Sequence, residues 1–259
     1  MSDLKDRNGL TETEYMASYR RGGWPLPSVT ADQVLISPDG GSYDILLIRR
    51  GGHPCIGQWA LPGGFVNEEE PPWKAAAREL EEETSLSGLQ SILLGVFGDP
   101  GRDIRGWTVT CAYCSLVDRR KLKPKAGDDA REARWFRLSW ERQDGLLRIF
   151  LTGPEAGTGH PQGTGADAGQ QGTEASGKQQ DGWNGTRTGT GQQGPEASGK
   201  QQDGLHGGCV LTALLRPMTL ENPLGQDTHY ELLENQGLAF DHAKIIATVI
   251  PHLERLPIS

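Results

Sequence analysis

The chain is short of cysteine, of positive charge and of long apolar runs, and each shortage excludes something. Its 259 residues hold four cysteines, Cys55, Cys111, Cys114 and Cys209. A chain of this length buries a core large enough to fold without covalent staples. Cys111 and Cys114 form a C-x-x-C, a spacing that suits zinc or redox chemistry. They lie in Trp107–Val117, which reads as a strand, so thiols three residues apart point to opposite faces. No second ligand pair follows, and a zinc site needs three or four ligands. Four reduced thiols in a cytosolic protein is the reading that remains. Lys and Arg number 26 against 34 Asp and Glu, a net charge of −8. That field repels polyanions, so no nucleic-acid partner is expected. A small anionic substrate still fits if a metal neutralises it locally. No apolar run is long enough to span a bilayer, and Met1–Arg7 lacks an apolar signal core. A cytoplasmic protein without a membrane partner is the expectation.

Glycine is abundant, at 36 residues, but the excess is local. Four stretches result: an N-terminal extension with a short helix (1–24), a first domain part (25–152), a low-complexity insertion (153–205) and a closing part (206–259). In the extension, Thr11 and Glu14 make a capping box for a helix over 11–20. Strands are expected at 28–37 and 43–48, around a Pro38-Asp39-Gly40-Gly41 turn, and then at 90–97, 107–117 and 132–137. Pro71 and Pro72 suit the start of a helix running to about Thr84. Residues 153–204 are mostly Gly, Gln, Thr, Ser, Ala, Glu and Asp, with Trp183 their only large apolar side chain. Residues 169–182 recur as 191–204, with Pro195 replacing Thr173. Such text buries too little surface to offset ordering entropy, so a disordered loop is expected. Its flanks, 146–151 and 209–215, read as the arms of a hairpin with an expanded turn. Lengthening a loop about tenfold costs only about 2 kcal/mol. A helix is expected over 240–256, with Asp241 as N-cap, Ile245, Ile246, Val249, Ile250 and Leu253 on one face, and Pro251 kinking or shortening it.

The chemistry lies in Leu61–Leu86. On a helix, Glu79, Glu82 and Glu83 share a face, and Arg78 can pair with Glu82 one turn on. Carboxylates so close repel unless a counter-charge intervenes. A hard divalent cation supplies it, and Mg2+ prefers oxygen ligands. Glu70 precedes the helix, and Gly63 and Gly64 allow close backbone approach, so a carbonyl there can reach the same ion. The bland alternative, a solvated acidic helix, explains the charge but not the Gly and Arg spacing.

This stretch resembles the Nudix box: Gly, five residues, Glu, seven residues, Arg-Glu, an aliphatic, any residue, Glu-Glu, any residue, Gly, an aliphatic. It matches at Gly64, Glu70, Arg78, Glu79, Leu80, Glu82, Glu83 and Leu86. Ser85 stands where the box has Gly, which puts the usual shape of the following loop in question. The resemblance implies an α/β fold, an α/β/α sandwich around a mixed sheet, that hydrolyses nucleoside diphosphate-linked substrates with Mg2+ or Mn2+. Carried across by position, it implies Glu79, Glu82 and Glu83 as metal ligands or base. Arg78 orients them, and Glu70 and Gly63 or Gly64 complete the shell. Residues 57–66, 97–106, 132–136 and 238–242 also resemble bacterial ADP-ribose pyrophosphatases and the related regulators of NAD metabolism. The enzymes give AMP and ribose 5-phosphate and are often homodimers. On that resemblance Arg102 and Arg105 are expected at phosphate or terminal ribose, and an acid among Asp128, Asp129 and Glu132 beside the water. Trp59 and Trp107 are candidates for stacking on adenine, against core packing. Asp241 and His242 are expected to cap the last helix. A regulator without its DNA-binding domain is the alternative, opposed by the retained glutamates and by room after residue 205 for little more than one strand and one helix. A hydrolase acting on NADH or oxidised nucleoside triphosphates is another.

Overall fold

Thr11 accepts a hydrogen bond from Glu14 N–H, and the Glu14 carboxylate accepts one from Thr11 N–H. This capping box opens helix α1 (Glu12–Ser18), two residues shorter at its end than the sequence suggests. The computed structural model describes residues 4–19, 25–127, 130–153, 209–223 and 225–256. Strand β1 (Ser28–Asp39) turns through Gly40 and Gly41 into β2 (Ser42–Arg50). Both glycines have positive φ, 53° and 83°, which is why this two-residue hairpin turn uses them. Short strands β3 (Trp59–Ala60) and β4 (Gly63–Phe65) lie within the stretch read as a loop. Helix α2 (Pro72–Thr84) follows, then β5 (Ile92–Phe97), β6 (Thr108–Leu116), β7 (Ala130–Gln143), β8 (Leu146–Thr152), β9 (Val210–Asn222), β10 (Gly225–Gln236) and α3 (His242–Leu253).

The strands make one mixed sheet in the order β10-β9-β8-β7-β2-β1-β6-β5, with β3 on β2 and β4 on β1. β1 and β6 run parallel; the other pairs are antiparallel. Residues 30–37 of β1 are buried throughout, as a strand covered on both faces must be. On one face Val34, Ile36, Ile45 and Leu47 pack with Ile245, Ile246, Val249 and Ile250 of α3. On the other, Leu35 and Leu46 meet Leu80 of α2, and Ala31 meets Ala75 and Ala76. The expected α/β/α sandwich is therefore present. Pro251 sits inside the last turn of α3, which continues to Leu253.

β8 and β9 pair in register up to Thr152 opposite Val210, and Gly153 N–H donates to Cys209 O at 2.7 Å. The expected hairpin arms are thus joined at the insertion. The disorder and repeat readings concern residues outside those described. The expectation of little more than one strand after residue 205 needs correction. β9 runs seven residues further than its apolar text, and β10 pairs along it. β10 is an edge strand whose only buried side chain is Tyr230, so it carries no apolar alternation to read. Among the described residues, no helix is long and apolar enough to cross a membrane. Cys111 and Cys114 are free thiols, with Cys114 packed against the α3-side core. Burial raises the pKa of both.

Candidate active site

Pro71 and Pro72 start α2 where no N–H is needed, and Ser85 ends it. Ser85 adopts the left-handed conformation, φ 58° and ψ 23°, and its N–H donates to Glu81 O at 2.8 Å. A Cβ there costs about 1 kcal/mol, and the helix still ends as a glycine would end it. Lys125 and Gly127 N–H groups donate to the Thr84 and Glu83 carbonyls, so the last turn is satisfied by the loop before β7.

Arg78 is the hub of the box. Its guanidinium bonds both oxygens of Glu70 at 3.0 Å, Glu79 at 2.7 Å, Glu82 at 3.0 Å and the Phe65 carbonyl at 3.0 Å. The expected Arg78–Glu82 pair is one of these contacts. Glu70 is turned to Arg78 and to Asn67 N–H, and Arg78 holds its pKa below the usual range. The carboxylates in turn keep Arg78 protonated. Gly64 lies against Glu79: a Cβ on it would come within 2.4 Å of the carboxyl carbon. Gly63 N–H donates to Glu83 Oε2 at 2.9 Å, and a Cβ there would strike the Ala31 carbonyl and Asp32. The two glycines therefore admit acidic side chains as well as backbone.

The three glutamates are not equivalent. Glu79 and Glu83 line a cavity of about 350 Å3. Glu82 is 43% exposed, bonded to Arg78 and outside that lining. Burial raises the pKa of Glu79 against the pull of Arg78. Burial pushes Glu83 up to about 8; the Gly63 amide and Arg50 oppose this, and the charges of Glu79 and Asp32 add to it. Two carboxylates turned to one cavity, with burial opposing the charge of both, offer hard oxygen donors that fit a divalent cation. Among the described residues, no three acidic, His or Cys groups already stand in a coordination arrangement.

The rest of the cavity comes from distant segments: Asp32 on β1, Arg50 at the end of β2, Arg102, Asp103 and Arg105 before β6, and Phe240 and His242 at the start of α3. Arg102 is buried and bidentate on Asp241, at 2.8 and 3.2 Å. Asp241 occupies the expected N-cap position but makes no side-chain cap bond there, which corrects its expected capping role: a buried guanidinium outbids the helix end for its carboxylate. His242 is corrected likewise. Its Nδ1 accepts Leu61 N–H at 2.9 Å, and its ring faces the cavity. Arg105 bonds Asp103 through both oxygens and lies over the rings of Phe65 and Phe240, 4.8 and 5.4 Å from their centroids. Burial pushes Asp103 up, but Arg105 outweighs it and leaves the acid below the usual range.

Two expected substrate contacts lie elsewhere. Trp59 is buried edge-on against Phe136, 4.7 Å between centroids, on the core-packing side of the choice; Trp107 is 54% exposed and so is not a core residue. Glu132 pairs with Arg49 and Arg134 outside the cavity lining. Asp128 and Asp129 fall outside the described residues. Asp32, Arg50, Asp103 and Phe240 were not foreseen. Asp32 left a signal, an acid two residues before the apolar Val34-Leu35-Ile36 of its strand.

The family model of the NUDIX domain matches residues 27–148, the stretch holding the box and most of this cavity. The chain belongs to the Nudix family. The Nudix chain is similar to an ADP-ribose pyrophosphatase of Methanocaldococcus jannaschii, 41% identical over 44% of this chain and 63% of that protein. It is also similar to an ADPR-responsive transcriptional repressor of Acinetobacter baylyi, 36% identical over 43% of this chain and 45% of that protein. These matches span about half the length of both relatives. A MutT/nudix family protein from Enterococcus faecalis has a similar solved structure, with a TM-score of 0.56 and 25% identity, covering 96% of this Nudix chain and 71% of that one.

Proposed function

We propose that this Nudix protein hydrolyses the pyrophosphate bond of a nucleoside diphosphate-linked substrate, ADP-ribose foremost, to give AMP and ribose 5-phosphate. The observation that carries the reading is the make-up of one cavity. The half-buried carboxylate of Glu79, the buried one of Glu83 and the guanidinium groups of Arg50, Arg102 and Arg105 line the same space. A pyrophosphate ester needs both a cation site and fixed positive charge. Mg2+ or Mn2+ would be held by Glu79, Glu82 and Glu83, with Glu70 and a carbonyl of Gly63 or Gly64 in reserve. When bound it supplies charge neutralisation and Lewis acidity. Arg78 positions Glu79 and Glu82 through its fork of donors. Arg105 and Arg50 meet the phosphates, while Arg102, tied to Asp241, keeps the wall in place. The named activity of the Methanocaldococcus relative supports ADP-ribose.

The test is a substrate panel with Mg2+ or Mn2+: ADP-ribose, NADH, diadenosine polyphosphates and oxidised nucleoside triphosphates. ADP-ribose is expected to turn over best. Glu82→Gln and Glu83→Gln should each lower kcat/KM by about two orders of magnitude. No turnover of any compound, or turnover indifferent to both changes, rejects the proposal. The Acinetobacter relative favours one second reading, in which ADP-ribose is sensed and not cleaved. Under it the protein binds ADP-ribose without turnover and shifts promoter DNA on a gel.

A further inference from the structure

Arginines account for the anionic part of a nucleotide, but one corner of the cavity suits an uncharged group. Asp32 and His242 line it and are 6% and 5% exposed. Asp32 Oδ2 accepts from Thr110 Oγ1 at 2.6 Å. Its Oδ1 takes no hydrogen bond among the described residues and stands 3.8 Å from His242 Nε2. Because His242 Nδ1 accepts Leu61 N–H, the ring proton is on Nε2. Burial first, then Arg102 and Arg50, depress the His242 pKa to about 4 against the pull of Asp241, so the ring is neutral at pH 7. A buried acceptor and a buried donor thus face one cavity, too far apart to bond each other and close enough for one oxygen to reach both.

The occupant must accept from Nε2–H and donate to Oδ1. A hydroxyl does both. Burial raises the Asp32 pKa, while the Thr110 hydroxyl, Arg102 and Arg50 pull toward its charged form; against the carboxylate a phosphate oxygen only accepts, and against the ring N–H an ammonium only donates. We propose that Asp32 and His242 form a sugar-hydroxyl subsite, in which one hydroxyl of the bound nucleotide donates to Asp32 Oδ1 and accepts from His242 Nε2. This rests on the nucleotide-linked substrate proposed above, but not on its hydrolysis. The hydroxyl belongs either to the nucleoside ribose or to the distal sugar.

Calorimetric titration in EDTA separates the two sources and keeps binding apart from turnover. The probes are ADP-ribose, its 2′,3′-dideoxyadenosine counterpart and the methyl ester of ADP, which lacks the distal sugar. The unaltered protein should bind one stripped analogue about tenfold more weakly than ADP-ribose, the worth of one hydrogen-bonded hydroxyl. His242→Asn keeps an acceptor for Leu61 and removes the donor. It should bring ADP-ribose to the level of that analogue and leave the analogue itself unchanged. Asp32→Asn keeps an oxygen for Thr110 and turns the free acceptor into a donor, with the same expected result. Equal loss for all three probes, discrimination retained in both variants, equal binding of all three by the unaltered protein, or no binding would each overturn the subsite. If discrimination follows His242 while no substrate is hydrolysed, the subsite stands and the hydrolase proposal falls.

Discussion

Glu79 can lie where it does because position 64 carries no side chain. Gly64→Ala places a methyl within 2.4 Å of the Glu79 carboxyl group, and that group is itself tethered to Arg78. The carboxylate must swing away, taking Arg78 with it. The expected outcome is a fall in kcat/KM of about tenfold or more, with a weaker apparent Mg2+ affinity, read from metal titrations of the initial rate. Unchanged metal dependence would show that Glu79 is free to move without consequence. At this scale the sequence exposed what is close in the chain. Arg78, Glu79 and Glu83 are read from helical spacing alone. That Glu82 stands outside the cavity while Glu79 and Glu83 line it was not readable, since spacing gives a face but not its neighbour. Asp32, Arg50 and His242 were invisible as partners because they meet only when β1, β2 and α3 pack. Asp241 shows the converse: a local rule predicted a cap, and a distant guanidinium took the carboxylate instead.

Elements were legible in proportion to their burial pattern. α2 and α3 show an apolar face at 3.6-residue spacing, β1 carries Val34–Ile36 and β2 carries Ile45–Ile48 on either side of a Pro-Asp-Gly-Gly turn, so all four were expected where they lie. β3 and β4 are two and three residues long and are held by partners, with no text of their own. β10 is a solvent-facing edge. The β8–β9 hairpin yields a direct prediction. Its arms are hydrogen-bonded at Gly153 and Cys209, so an Asn-Gly link between those two residues can replace 154–208 in a tight turn. The shortened protein should be more stable by up to about 3 kcal/mol from reduced closure entropy, seen as a higher denaturation midpoint. Its kcat/KM should stay within about twofold, a range no larger than a small binding change. A large loss of activity would assign the segment to the site.

At the level of the whole molecule, stability is coupled to pH through His242. Its pKa falls from the usual 6.5 to about 4 in the folded protein. Below pH 6.5 the unfolded chain takes up a proton that the folded one refuses. The contribution of His242 is therefore present above 6.5 and lost as pH falls toward 4, by about 3 kcal/mol in all. Urea midpoints from pH 7 to pH 4.5 should fall more steeply for the unaltered protein than for His242→Asn. Parallel slopes would mean that the ring is protonated in the folded state.

The cavity walls join parts of the chain that are far apart. The Leu61–His242 bond bridges 181 residues and the Arg102–Asp241 pair 139. The helix with the glutamates and the centre of the sheet come from the first half of the chain. The ring of His242 and the carboxylate of Asp241 that close the pocket come from its last tenth. A chain halted on the ribosome before Leu238 would lack both the closing wall of this cavity and the helix that covers one face of the sheet. Early termination or proteolysis of the C-terminal segment would therefore strike the pocket and the core of the sheet in one step.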